Sequence, residues 1–206
     1  EYDSIRFCSV CPLPFGQDHI KRSAEQKRML SYSVQHPMSD LATHAVPDDV
    51  EPTDRRLRIT GAVSNPLRLE PAELADRPAA TVAEDFECRE GWVAEGLSWR
   101  GIRVEHLLDR AEPTVDEGHV LVRAMDGDYA CAFPIDRVAD AVLAFELDGD
   151  ALPVEHGGPA RLVPTDDGSD CWESVKWVAE LEVSATDPTA DDTAEQLALG
   201  RLEDSR

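Results

Sequence analysis

FELDGDALPVEHGGPARLV, residues 145–163, holds two kinds of information side by side. In its first half, AVLAFEL (141–147) and ALPV (151–154) flank Asp148-Gly149-Asp150. Two apolar runs around an Asp/Gly turn predict a β-hairpin, because Gly and Asp tolerate the positive φ that a tight turn needs. In its second half, His156-Gly157-Gly158-Pro159-Ala160-Arg161 forms a tight turn that brings backbone close to whatever lies there. It also holds an imidazole and a guanidinium at fixed separation. Arginine's planar fork suits a phosphate, and histidine can donate to a further oxygen. A hairpin turn with a solvated arginine is the plain alternative.

Working outward, the same alternation recurs. HVLVRAM (119–125) and DYACAF (128–133) flank Asp126-Gly127-Asp128 and predict a second hairpin. RLRITGAV (56–63) alternates like a half-buried strand, turned by Ser64-Asn65-Pro66, and ATVAEDFEC (80–88) predicts a strand ending at Cys88. SVKWVAELEV (174–183) predicts a last strand. Short helices are expected at Pro71–Asp76, with proline in the first turn, and at Ile102–Arg110, with Val104, Leu107 and Leu108 on one face. Many short strands with scattered short helices predict an α+β fold of mixed β-sheets.

The charge is unusual. Of 206 residues, 42 are acidic and 20 basic, a net of −22, which argues against nucleic acid or an anionic membrane as partner. Only three lysines occur, Lys21, Lys27 and Lys176. Dense carboxylates with lysine nearly eliminated suggest a halophilic protein, since in molar salt the Debye length is about 3 Å and self-repulsion is screened. An acidic docking face for a basic partner is the alternative. Residues 1–37 differ, with two of the lysines and a net charge of +1. They are expected to be an extension outside the fold, with Met38 as the natural start, a domain over 38–184 and an acidic tail over 185–206. The tail is expected to be disordered or a loosely docked helix around Thr193–Leu202. Cys8-x-x-Cys11 has no second ligand pair nearby. Five cysteines without a framework spacing, and no run of 18 apolar residues, suggest a cytoplasmic protein.

Two more residues invite chemistry. Cys88 lies in FECREGW (86–92), beside Arg89, whose positive charge favours the thiolate that a soft metal requires. A small buried hydrophobe would explain the same cysteine. Lys176, the one lysine after residue 37, stands within the apolar run of the last predicted strand. There it needs a partner, for which a phosphate oxygen would serve; a leftover surface lysine is the alternative.

Taken in order, LRITGAVSNPLRL (57–69), FECREGW, LSWRGIRVEHLLD (97–109), FELDGDALPVEHGGPARLV and SVKWVAELEV resemble the oxidoreductase molybdopterin-binding domain. That family includes sulfite oxidase, plant-type nitrate reductase and the catalytic subunit of protein-methionine-sulfoxide reductase. The resemblance implies a sulfite-oxidase-type domain holding a molybdenum–molybdopterin cofactor, with tungsten not distinguished. It implies Cys88 as the metal's thiolate ligand, His156 and Arg161 as the turn that binds the pterin and its phosphate, and Ser174, Val175 and Lys176 as the segment that closes over it. His44, in ATHAVP, matches a histidine upstream of the first strand that helps bind the cofactor, and Arg89 is the nearest candidate for an anionic substrate. The chain departs from the pattern in three ways. Ala124 stands where relatives have Ser or Thr, the segment from Pro164 to Lys176 is longer and contains Cys171, and no stretch matches the Trp…Asp-Tyr substrate motif, the immunoglobulin-like domain or a haem domain. The implied function is a minimal oxidoreductase that transfers an oxygen atom on a small-molecule substrate and exchanges electrons with a separate carrier. A non-catalytic module that stores or delivers the cofactor is the alternative.

Overall fold

A computed structural model of the chain describes residues 41, 43, 45–53, 56–75, 79–87 and 93–204, all within one compact unit, His36–Arg206. His44, Cys88 and Arg89, and the expected 1–37 extension, lie outside the described residues.

Among the described residues, ten strands form two sheets. In the first, β1 (Leu57–Gly61), β2 (Leu67–Leu69), β5 (His119–Ala124), β6 (Ala130–Pro134) and β10 (Val178–Ser184) run in the order β2-β1-β10-β5-β6. The β1–β10 pair is parallel and the other pairs are antiparallel, so the sheet is mixed and joins residues some 120 positions apart, Arg58 opposite Glu180. Alternation sets its faces: Leu57, Ile59, Leu181 and Val183 point to the core while Arg58, Glu180 and Glu182 point away. The second sheet holds β3 (Ala80–Glu87), β4 (Val93–Arg103), β7 (Val142–Leu147) and β8 (Asp150–Ala151), with β9 (Arg161–Val163) also paired to β7.

Helices are short: α1 (Pro71–Ala75), α2 (Val104–Ala111), α3 (Ile135–Ala139) and α4 (Ala194–Asp204). On α2, Val104, Leu107, Leu108 and Ala111 are buried, the stripe that 3.6-residue periodicity dictates. The helix stops at Glu112, whose φ of 55° is left-handed. A larger core cluster includes Leu57, Ile59, Leu107, Phe133, Leu162 and Leu181, and a smaller one gathers Leu41, Leu97, Trp99, Leu147 and Leu152. Each such aliphatic or aromatic side chain contributes about 1.5–3 kcal/mol by leaving water. No helix among the described residues is long and apolar enough to cross a membrane.

Both predicted hairpins are present, β5–β6 and β7–β8. Two expectations need correction. Ile102 and Arg103 belong to the eleven-residue β4, which the sequence pattern did not reveal because its bulged pairing with β3 and β7 disrupts strict alternation. The last strand begins at Val178, so Ser174–Trp177 precede it; Trp177 adopts a φ of 53°, which an extended strand does not admit. After residue 184 the chain takes the helical option as α4, and its entry is tied down: Ala130 N donates to Thr193 Oγ1 at 3.0 Å, Ala132 N donates to Asp192 Oδ2 at 2.9 Å, and Ala194 is wholly buried.

Candidate cofactor-binding site

The turn between β8 and β9 is built to be thin. Gly157 has a φ of 103°, and a Cβ there would lie 2.9 Å from Lys176 Cγ and 3.1 Å from Arg161 Cδ. A Cβ on Gly158 would lie 2.1 Å from the Leu152 carbonyl oxygen. Only glycine lets these three segments meet. The segment before β10 closes against the turn: Trp177 N donates to the Gly157 carbonyl at 3.0 Å, and Trp177 Nε1 donates to the Val154 carbonyl at 2.7 Å.

Four of the predicted residues converge here. Arg161 Nε donates to Ser174 Oγ at 2.9 Å, and its Nη1 donates to the His156 carbonyl at 3.0 Å. Ser174 Oγ in turn donates to the Leu162 carbonyl at 2.9 Å. Lys176 Nζ donates to the Glu155 carbonyl at 3.2 Å and lies 5.8 Å from the Trp177 ring centroid. Val175 is wholly buried, and its carbonyl accepts from Leu162 N at 2.9 Å, so it anchors the segment through its backbone and core side chain.

The Arg161 guanidinium is enclosed, at 2% exposure, with its Cζ 5.1 Å from the Trp99 ring centroid. Burial pushes its pKa down to about 10, which leaves it charged at neutral pH. The role visible in its contacts is to tie the glycine turn to Ser174. His156 is also buried; desolvation first, then the charge of Lys176, lower its pKa, opposed by Glu155 and with a lesser contribution from Arg161. Its Nδ1 is buried without a hydrogen-bond partner.

Cys88 and Arg89 fall in the connection between β3 and β4, whose flanking residues Glu87 and Val93 pair with each other. Strand β4 continues to Trp99, whose ring centroid lies 5.1 Å from the Arg161 Cζ. Cys131 is buried, and that burial, with Asp192 and Glu173 nearby, drives its thiol pKa up and keeps it protonated.

Arg137 and Trp99 were not singled out as functional in the sequence. Arg137, on α3, holds the segment that leads into Ser174: it donates to Glu173 through both Nη atoms, to Asp166 Oδ2 at 2.9 Å and to Ser169 Oγ at 3.3 Å. Its partners lie 29–36 positions away, which no local pattern discloses.

The site fits a phosphorylated pterin. Two cations beside a buried imidazole with an unused ring nitrogen suit an anionic ligand with several acceptor oxygens. Comparisons with known proteins identify the family. The oxidoreductase molybdopterin binding domain family matches residues 43–191. The chain is 27% identical over 186 residues to the mitochondrial sulfite oxidase of Rattus norvegicus, covering 75% of this chain and 34% of that protein. It is 30% identical over 167 residues to the sulfite oxidase of Gallus gallus, covering 66% and 36%. Among solved structures, the sulfane dehydrogenase SoxCD of Paracoccus pantotrophus superposes with a TM-score of 0.60 at 27% identity, covering 67% of this chain and 40% of that one. The chain thus spans about a third of the length of these curated relatives.

Proposed function

The chain belongs to the oxidoreductase molybdopterin-binding domain family, and from that premise we propose that it is a molybdopterin-dependent oxidoreductase transferring an oxygen atom on a small substrate. The observation that carries this reading is the cradle formed by His156, Gly157, Arg161, Ser174 and Lys176 around one thin turn. Bound there, the cofactor would supply two-electron chemistry at molybdenum or tungsten.

The chain's own residues have separate tasks. Cys88 is the proposed thiolate ligand, and the charge of neighbouring Arg89 favours its deprotonation. His156, whose Nδ1 lacks a partner, is the proposed hydrogen-bonding partner of a pterin atom. Lys176 and Arg161 supply positive charge toward a phosphate, and Gly157, having no Cβ, lets both side chains pack against the turn. His44 is assigned to the same cofactor by its position upstream of β1. Arg89 is the nearest candidate for an anionic substrate, and a separate electron carrier closes the redox cycle.

The test is metal and pterin analysis of purified protein, followed by a dye-coupled assay on sulfite and on sulfoxides. Bound metal with turnover of either substrate supports the oxidoreductase. Bound metal without turnover favours a module that stores or delivers the cofactor. Absence of both metal and pterin overturns the two together.

A further inference from the structure

On the outer face of the first sheet, Arg58 of β1 stands directly opposite Arg68 of β2. Both are exposed, while the flanking Leu57, Ile59, Leu67 and Leu69 are buried on the inner face. Like charges directly opposite one another on paired strands repel, so this pairing costs stability. Arg56, two positions before Arg58, brings a third guanidinium to the same side. All three line one surface cavity of about 230 Å³, to which Met125 and Ala179 contribute apolar lining. None of the residues of the His156–Lys176 cradle lines it.

Three cations gathered at one cavity are out of keeping with a chain that has 42 acidic residues against 20 basic. Elsewhere Arg100, Arg110, Arg123 and Arg137 each pair with a carboxylate. Among the described residues, the Arg68 guanidinium has no such partner, although Asp49 and Glu51 line the same cavity. Glu180 is engaged by Arg58 Nη2 at 2.8 Å and by Thr60 Oγ1 at 2.8 Å. The lining thus carries three positive charges against two negative in a chain of net −22. A planar guanidinium left open beside two others suits a phosphate, which accepts paired, charge-assisted hydrogen bonds. Asp49 and Glu51 can accept from hydroxyl groups. The cavity is smaller than the roughly 300–1,000 Å³ of pockets for drug-sized ligands, so its occupant is small. We propose that this cavity binds a small phosphomonoester bearing hydroxyl groups, with the three arginines on the phosphate and Asp49 and Glu51 on the hydroxyls. The site stands independently of the cofactor reading above.

The test is calorimetric titration of the full chain with glycerol 3-phosphate and with inorganic phosphate, at one salt concentration that keeps it folded. Wild type should bind glycerol 3-phosphate saturably and more tightly than inorganic phosphate. Arg68→Gln should weaken that binding about tenfold, the loss of one charge-assisted hydrogen bond. Without ligand the same variant should melt no lower than wild type, because it removes the like charge opposite Arg58. Arg68→Lys keeps the charge and should also bind more weakly, since an ammonium lacks the planar fork. Arg100→Gln removes an equal charge from the second sheet and should bind as wild type does. Absence of saturable binding by wild type, or equal weakening in the Arg68 and Arg100 variants, would overturn the site. Undiminished binding by Arg68→Lys would refute the paired contact to phosphate. Equal affinity for the two phosphates would refute the ligand class, since Asp49 and Glu51 would then meet no hydroxyl.

Discussion

His156 shows how a single side chain acquires a function from its surroundings. Its pKa lies below the ordinary 6.5 because burial and the Lys176 and Arg161 charges oppose protonation. The unfolded chain therefore takes up this proton more readily than the folded one, so the contribution to stability is complete above about pH 6.5 and is lost as pH falls below it. Wild-type apo protein should lose more stability than His156→Gln between about pH 7.5 and pH 5.5, read from paired denaturant titrations. Equal losses in the two proteins would show that the imidazole's environment is unremarkable. Cys88 carries a sharper expectation. Cys88→Ser replaces a soft thiolate with a hard hydroxyl, so redox activity should disappear while pterin is partly retained through His156, Arg161 and Lys176. X-ray absorption at the metal edge should lose one sulfur scatterer in this variant and in neither Cys131→Ser nor Cys171→Ser. Loss of the scatterer in the Cys171 variant instead would require a different ligand assignment. Residue types and their order were enough to nominate His156, Arg161, Ser174 and Lys176. That Arg161 turns inward onto Trp99 was not legible, because the ring comes from a strand 62 positions earlier and stacking leaves no mark in sequence spacing.

Among the elements, the segment between β9 and β10 depends most on distant partners. It contains Asp166, Ser169 and Glu173, all bound by Arg137 of α3, and it ends in a capping box in which Asp170 and Glu173 satisfy each other's backbone N–H groups. Glu173 immediately precedes Ser174, which holds Arg161, which holds the His156 turn. Arginine's fork makes this clamp, and with its carboxylate partners beside it the guanidinium stays protonated throughout. Arg137→Met should cost on the order of 1–3 kcal/mol, discounted toward the lower figure because Asp166 is well exposed. The specific signature is faster amide exchange at Ser174–Trp177 with little change at β1 or β5. Uniform exchange changes across the domain would mean that Arg137 supports the fold at large and leaves the cradle alone. Both hairpins were readable because Asp-Gly turns and alternating apolar residues are local signals. Strand β4 was not, since its bulges shift the register against both neighbours.

At the level of the whole molecule, a charge of −22 on 206 residues must be accommodated. Only a few carboxylates are seen paired across strands, Glu180 with Arg58, Glu182 with Arg123, and Glu146 with Arg100. Such exposed pairs contribute little each, so the excess carboxylates repel one another once screening is removed. Lowering salt from molar to about 10 mM should bring unfolding or aggregation, reversible on restoring salt, because the Debye length rises from about 3 Å to about 30 Å. Melting temperatures independent of salt would revive the acidic docking face as the explanation of the charge.

Periodicity, turn chemistry and the five ordered motifs were sufficient for the α+β class, the hairpins and the family, since each is written in neighbours along the chain. The parallel pairing of β1 with β10, the thin wall shared by Gly157, Lys176 and Arg161, and the burial of Trp99 beneath a guanidinium arise only when segments up to 120 residues apart pack. Lys176 marks the division most clearly. Its rarity singled it out from the sequence, whereas its place in the turn before β10 is set by the left-handed backbone of Trp177 and the bond from that residue's N–H to the Gly157 carbonyl. Local patterns record what a residue prefers; which distant backbone atom answers that preference is settled by close packing, where one displaced Cβ would hold the segments apart.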